Sequence, residues 1–444
     1  MAIEKIVKRD GRIVPFRREK ITLAILSAAI AVGGRDRRTA ERITDDVITM
    51  LESQASPGSY PTVEEVQDLV EKCLIERGHA KTAKAYIIYR YEHALKRAGR
   101  ESLTYSSDNI PYQKLWLALS WGVDKGCVWL SQLADYIQKG GFLDLVKKSE
   151  EFYMSELEEA LRRITRRIDD VRIIIVSGPS SSGKTTTTIK IADRLKELGY
   201  TLVTLNVDNY FFDLKDQPRD PGGDYDYETP QAIDLSLINR HLRELLEGKT
   251  VQVPFYNFKT GNREGISGAL SLKPSEILLI DSLHGMFTEM TEGIEEEKKF
   301  KLYIETLSQL KGGEGRFVRW ADIRMLRRMV RDMQFRNYSP RQTLVHWHYV
   351  RRSEVRHIIP RLTEAHFIFN SFLPYELSIM KHRLGRYFPG FVDEFRNDPE
   401  MDDALSRAMR VQEIFTEIPE WEDEQVVPDD SLLREFIGGS RDRY

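Results

Sequence analysis

The sequence holds few cysteines, little net charge and no long apolar run, and each shortage closes off a class of function. Cys73 and Cys127 are the only cysteines in 444 residues, which excludes a disulfide framework and points to a reducing, cytoplasmic setting. The 66 Lys and Arg residues nearly cancel the 69 Asp and Glu residues, leaving a formal charge of −3. A chain so balanced is not built as a whole to seek nucleic acid or a membrane surface. The longest nearly apolar stretch, Ile21 to Val32, is broken by Thr22 and Ser27 and is too short to cross a bilayer. The start, Met1-Ala2-Ile3-Glu4-Lys5, lacks a signal-peptide pattern, and no internal repeat is found. What remains is a cytoplasmic protein with no nucleic-acid and no membrane partner expected. Its 41% apolar content supports sizeable cores, and its length predicts two or three domains.

Against these absences one run stands out. Gly178-Pro179-Ser180-Ser181-Ser182-Gly183-Lys184-Thr185 fits the phosphate-binding pattern G-x-x-x-x-G-K-[ST]. The apolar stretch Arg172 to Ser177 precedes it and a helical pattern, Thr186 to Leu198, follows, which is the strand–loop–helix setting such a loop requires. Two glycines let the backbone curl so that successive N–H groups and the helix N-terminus form an anion cradle. The expected nucleotide contacts are Gly178, Ser180, Ser181, Ser182, Gly183, Lys184, Thr185 and Thr186. Lys184 would reach the β- and γ-phosphates of ATP, and the Thr185 hydroxyl would hold Mg²⁺. An ordinary Gly/Ser-rich turn is the plain alternative, and the flanking elements weigh against it.

Around this loop the chain divides into four segments. Residues 1–98 open with a hairpin from Ile6 to Phe16, turning at Asp10-Gly11, followed by helical patterns at Arg18 to Val32, Thr39 to Ser53, Thr62 to Gly78 and Ala80 to Arg97. Thr62 and Glu65 form a capping box. Residues 99–170 read as a helical connecting segment whose Trp116, Trp121 and Trp129 are expected in a core. Residues 171–395 alternate strands and helices, with strands at Ile173–Ser177, Leu202–Val207, Ile277–Asp281 and Phe367–Phe369, and predict an α/β parallel sheet. Residues 396–444 form an acidic tail that ends in a short amphipathic helix with a glycine stop.

Two acids and one helix complete the candidate chemistry. Asp208 and Asp281 end strands, and in an open parallel sheet ligands bind beyond the strand carboxyl ends. Asp208 is thus placed to take a proton from an attacking hydroxyl, and Asp281 to serve the Mg²⁺ shell. A loop aspartate bonded to its own backbone, and an N-cap, are the bland readings of the two. In the stretch Arg319 to Arg336, Arg324, Arg327, Arg328 and Arg331 are expected on the face opposite Ile323, Leu326, Met329, Val330 and Met333. A lid whose Arg324, Arg328 and Arg331 neutralise a transferring phosphoryl group is the reading preferred over a solvated basic face. His346-x-His348 lacks metal-site spacing on either a strand or a helix.

Residues 171 to about 395 resemble the uridine kinase and phosphoribulokinase family. The resemblance rests on the loop 178–185, Asp208-Asn209-Tyr210-Phe211, Tyr225 to Pro230 with Ala232 and Asp234, Val253 to Thr260 with Arg263, and the Asp322 to Asp332 arginine run. It implies a P-loop NTPase fold, ATP-dependent phosphoryl transfer to a hydroxyl, and Asp208 as general base. It also implies an acceptor pocket lined by Tyr225, Asp226, Tyr256 and Arg263, and an arginine lid. Uridine or cytidine is the first choice of small-molecule substrate. Yet Asp281-Ser282-Leu283-His284 stands where uridine kinases carry Glu-Gly-Ile, which leaves another acceptor, such as a sugar phosphate, open. The stretches Asn370 to Leu377 and Leu433 to Ser440 resemble a branch of larger, multidomain uridine-kinase-like proteins.

Residues 1–98 resemble the ATP-cone, a nucleotide-sensing module. The match is carried by Val7 to Arg12 with Pro15-Phe16, Glu19-Lys20-Ile21, Thr62 to Val66 and Tyr86 to Tyr91. A hairpin bearing Lys8, Arg9 and Arg12 above helices with Lys20 offers cations for a regulatory triphosphate, ATP or dATP. Such control implies a homo-oligomer. A regulator that binds nucleotide without turnover is the alternative of a different class, and the intact Lys184, Thr185 and Asp208 argue against it.

Overall fold

The computed structural model describes residues 3–7, 13–54, 60–79, 81–83, 85–86, 110–219, 225, 228–398 and 401–441. The chain separates into two compact units, Met1–Ser107 and Asp108–Tyr444. In the first, β1 (Lys5–Val7) pairs antiparallel with β2 (Ile13–Pro15), Ile6 facing Val14. Helices Arg18–Ala31, Arg37–Gln54 and Val63–Glu76 pack around Ile25, Val47, Val70, Cys73 and Leu74. The capping box is formed: the Glu65 N–H donates to the Thr62 hydroxyl at 3.2 Å, and the Thr62 N–H to Oε2 of Glu65 at 2.7 Å. Such a cap stabilises a helix by about 1 kcal/mol. The hairpin turn and most of the fourth helical pattern lie outside the described residues.

The second unit is built on a parallel sheet of five strands in the order β4-β7-β3-β8-β9: β3 (Ile173–Ser177), β4 (Thr201–Asn206), β7 (Glu276–Ser282), β8 (Lys299–Glu305) and β9 (Phe367–Asn370). β3 lies at the centre and is apolar from Ile173 to Val176 because both faces are covered. Ile174 and Val176 enter one core, Ile173 and Ile175 the other. A separate antiparallel pair, β5 (Val251–Asn257) with β6 (Asn262–Leu270), stands beside the sheet.

β8 was not expected. Lys299, Lys301 and Glu305 break its apolar pattern, yet all seven residues are buried. Both lysines pair with Glu296, whose oxygens lie 2.8 Å from each ammonium, and Lys301 also lies 3.9 Å from Glu364.

The stretch expected as a connector and much of the terminal stretch belong to this same core. Helices Leu130–Gln138 and Phe142–Thr165 contribute Leu133, Phe142, Tyr153 and Ile164. The terminal stretch contributes Val411, Phe415, Leu432, Leu433, Phe436 and Ile437. Their apolar faces need a partner, and the sheet face carrying Ile174 and Val176 supplies it. The tryptophans differ from expectation: Trp116 is 67% exposed and Trp129 38%, while Trp121 packs on Phe152 at 5.1 Å. Among the described residues no helix is long and apolar enough to cross a membrane.

Candidate active site

The phosphate loop joins β3 to helix Lys184–Glu197, and its geometry follows from two glycines. At Gly178 a Cβ would lie 2.3 Å from the Ile304 carbonyl oxygen, a backbone atom of β8 that cannot yield. Gly183 adopts φ +88°, a conformation open mainly to glycine, with Leu432 packed against it. Lys184 donates from Nζ to the Pro179 carbonyl at 3.1 Å, folding its ammonium back over the loop. Among the described residues the buried hydroxyls of Ser181 and Ser182 find no hydrogen-bond partner, which leaves them free to donate to anion oxygens. We expect Gly178→Ala to abolish ATP binding in a calorimetric titration. Unchanged affinity would contradict this account of the loop.

The strand ends deliver the acids. Register places Asn206 of β4 beside Asp281 of β7, with Ser282 beside Ser177 of β3. The Thr185 hydroxyl donates to Oδ2 of Asp281 at 3.4 Å. Burial pushes the Asp281 carboxyl up to about 6, with Lys184 pulling it down and Asp208 and Glu435 adding to the rise. Asp208 is the second residue of the turn Val207–Tyr210 after β4, its N–H bonded to Oδ1 of Asn206 at 2.9 Å. Water reaches Asp208 from the cleft, but protein surrounds it closely enough that burial raises its pKa against the pull of Lys184 and Arg336. Lys184 is shifted the other way, downward, by burial, with Asp281 and Glu435 opposing. Thr185 and Asp281 are hard oxygen donors, and the described residues hold no cluster of three acidic, His or Cys ligands. That set fits Mg²⁺, which takes one or two protein oxygens and completes its shell with water and substrate phosphate.

These groups line one cleft of about 1600 Å³, together with Arg328, Arg331, Arg336, Glu228, Phe211, Phe258, Lys259, His284 and Glu435. Ligand sites commonly measure roughly 300–1,000 Å³, so this one has room for a nucleotide and a second small molecule.

The arginines of helix Trp320–Phe335 do not form the single open face expected of them. Arg328 and Arg331 reach the cleft. Arg328 donates to the Ser180 hydroxyl at 3.1 Å and to Glu228 at 3.3 Å, and Arg331 pairs with Asp332 at 2.9 Å. Arg324 and Arg327 are instead buried and paired. Arg324 meets Glu305 at 2.8 Å and Glu354 at 2.9 Å, and it bonds the Ser180 carbonyl of the loop at 3.1 Å. Arg327 grips Glu376 at 2.6 and 2.8 Å. A guanidinium enters a core only with such partners, so these two anchor the helix to the ends of β8 and β9.

Of the residues expected around the acceptor, Tyr225, Tyr256 and Arg263 do not line the cleft. Tyr256 is buried and accepts a hydrogen bond from Gln217 at 3.0 Å. Arg263 clamps the loop after β4, donating to the carbonyls of Tyr210 at 2.7 Å and Phe211 at 2.8 Å and pairing with Asp234 at 3.1 Å. Tyr256 packs against Phe211 and Phe258, and Arg263 holds the backbone of Phe211; both phenylalanines line the cleft. The Tyr225 hydroxyl accepts from Arg219 at 2.6 Å, and Asp226 lies outside the described residues. Sequence reasoning missed Glu228, Arg336 and Glu435 as cleft groups. All three lie within stretches singled out in the sequence, Tyr225 to Pro230, Arg319 to Arg336 and Leu433 to Ser440, but none was given a role there. His284, singled out only as a departure, is buried at the cleft, where burial pulls its pKa down to about 3 and keeps it neutral. Lys8, Arg9 and Arg12 lie outside the described residues, and Lys20 is exposed on the first helix.

Residues 173–377 match the Phosphoribulokinase / Uridine kinase family, and residues 4–95 match the ATP cone domain. Uridine kinases of Staphylococcus aureus strains JH9 and Newman are 30% identical over 167 residues, covering 38% of this chain and 71% of each relative. The chain belongs to the phosphoribulokinase and uridine kinase family. The structure of a possible uridine kinase from Bacillus stearothermophilus aligns with 48% of this chain and 100% of that one, at 15% identity and a TM-score of 0.33. Within the family match lie the phosphate loop, Asp208, Asp281 and all four arginines of helix Trp320–Phe335. Glu435 lies beyond it.

Proposed function

We propose that this chain transfers the γ-phosphate of ATP to a hydroxyl of a small molecule, with uridine or cytidine as the first choice of acceptor. One observation carries the reading: Lys184, the Thr185–Asp281 pair and Asp208 meet at the carboxyl ends of adjacent strands, in a cleft that also holds Arg328 and Arg331. Lys184, with the loop N–H groups, binds and orients the triphosphate. Asp208 accepts the proton of the attacking hydroxyl, a task its raised pKa suits because a stronger base takes a proton more readily. Arg328 and Arg331 stabilise the charge that develops on the transferred group, since preorganised donors cost no reorganisation. Mg²⁺ held by Thr185 and Asp281 would add charge neutralisation at the β- and γ-phosphates. Arg324 supports this arrangement from within the core through the Ser180 carbonyl.

Tyr225, Asp226, Tyr256 and Arg263 are assigned to the acceptor side, Tyr256 and Arg263 by shaping the Phe211 and Phe258 wall. A sugar phosphate is the second reading, favoured by the further cations Arg336 and Lys259 in the cleft and by His284 at the strand end. A screen of purified protein for acceptor-dependent ADP release decides between them. The nucleoside reading expects uridine or cytidine to be active and to yield a 5′-monophosphate. Inert nucleosides beside an active sugar phosphate would contradict it.

For residues 4–95 we propose a second adenine-nucleotide site, for ATP or dATP, that shifts the assembly of a homo-oligomer and through it kinase competence.

A further inference from the structure

The short helix Arg434–Ile437 and the residues just before it are built against the phosphate loop. Oε2 of Glu435 accepts from the Thr186 N–H at 3.1 Å and from the Thr186 hydroxyl at 2.6 Å. Thr186 belongs to the first turn of helix Lys184–Glu197, whose leading N–H groups have no partner within the helix. Three residues earlier, the fully buried Leu432 touches Gly183 so closely that a Cβ there would lie 2.3 Å from Cδ1 of Leu432. Phe436 is buried beneath the Arg327 guanidinium at 5.2 Å, and the Ile437 carbonyl accepts from Arg383 at 3.0 Å. Arg434 ties the segment to itself through the carbonyls of Val427 at 2.7 Å and Glu424 at 2.9 Å. Glu435 also shares the electrostatic surroundings of Lys184 and Asp281.

We propose that residues 432–438 form a fixed wall of the nucleotide site, with Glu435 as a positioning residue that holds the phosphate loop ready for ATP through Thr186. The inference rests on the kinase reading above but concerns residues beyond the part of the chain that matches the family. A carboxylate beside an anion site could instead compete with the triphosphate and leave when it arrives. The packing argues for permanence. Leu432, Leu433, Phe436 and Ile437 are each at most 3% exposed, which fixes the backbone of the segment, so only a turn of the Glu435 side chain could release Thr186. A cap that stays in place keeps the first turn of the helix ordered before ATP binds, so the ordering need not be repeated at each binding event.

Calorimetric titration of ATP into the full chain, Glu435→Ala and Glu435→Gln tests this, with KM for ATP and for the acceptor measured in parallel. Glu435→Ala is expected to weaken ATP binding by about tenfold, the equilibrium counterpart of a lost N-terminal cap. Glu435→Gln, which keeps an acceptor oxygen, should lose less, and the acceptor KM should stay put in both. Unchanged or tighter ATP binding by Glu435→Ala overturns the proposal, the second outcome by making the carboxylate a competitor. A parallel rise of both KM values overturns it too, as a general loss of fold. If Glu435→Ala does not fold, Glu435→Gln decides alone: it should bind ATP more weakly than the unaltered chain, and equal affinity refutes the inference. An unaltered chain that binds no ATP would overturn the kinase reading and this inference together, whereas binding that is blind to Glu435 removes the inference alone.

Discussion

Lys184→Ala is expected to lower kcat/KM for phosphoryl transfer by about 10³ or more, the scale on which one preorganised electrostatic contact to a transition state is lost. Burial already strains this ammonium toward its neutral form, and the nearby Asp281 and Glu435 carboxylates oppose that pull. A triphosphate would add negative charge to the same side of the balance, so Lys184 should be fully charged once ATP is bound. Replacing it with alanine removes the cation and leaves Asp281 and Glu435 facing the phosphates with less compensation. Steady-state ADP release, read beside an ATP titration, checks both consequences. Activity close to that of the unaltered chain would remove Lys184 from the site.

The second large effect concerns Asp208. Asp208→Asn should reduce turnover by roughly 10² or more while leaving ATP affinity nearly intact, as befits lost general-base catalysis. The upward shift of this carboxyl fixes the sign of a pH effect. The ionised form is the base, so kcat/KM should fall on acidification at a pH above the value of roughly 3.9 for an ordinary aspartate. The same shift means that the folded chain binds the Asp208 proton more tightly than the unfolded chain does. Ionised Asp208 therefore opposes folding above its raised pKa, and that cost is relieved as pH falls through it. Asp208→Asn should accordingly be no less stable than the unaltered chain at neutral pH. A turnover that survives the substitution would assign the proton to another group.

Much of this site was legible because its physics is local. A glycine-rich loop between an apolar run and a helix can be read from eight consecutive residues, and Asp208 and Asp281 from the ends of apolar strands. Parallel topology then brings strand carboxyl ends together without further information. What escaped was set by distant partners. Arg324 and Arg327 look like surface residues until Glu305, Glu354 and Glu376 arrive from three other elements to neutralise them. β8 is hidden for the same reason, since Lys299 and Lys301 read as exposed until Glu296 is seen beside them. Glu435 falls in a stretch marked only as a short helix and by resemblance, and a lone acid there acquires its role only from Thr186. The tryptophans erred in the opposite sense: aromatic content suggested burial, but Trp116 sits on the outer face of its helix.

The central claim is that this cleft moves the γ-phosphate of ATP onto a hydroxyl, and the direct measurement is to follow the phosphorus itself. Phosphorus-31 NMR of the unaltered chain with ATP, Mg²⁺ and the acceptor found by ADP-release screening should show the γ-phosphate signal lost as a phosphate monoester signal appears, with little inorganic phosphate. The same mixture with Asp208→Asn should hold its γ-phosphate signal over that period. A γ-phosphate released only as inorganic phosphate, or one that persists with every nucleoside and sugar phosphate offered to a chain that binds ATP, would contradict the account.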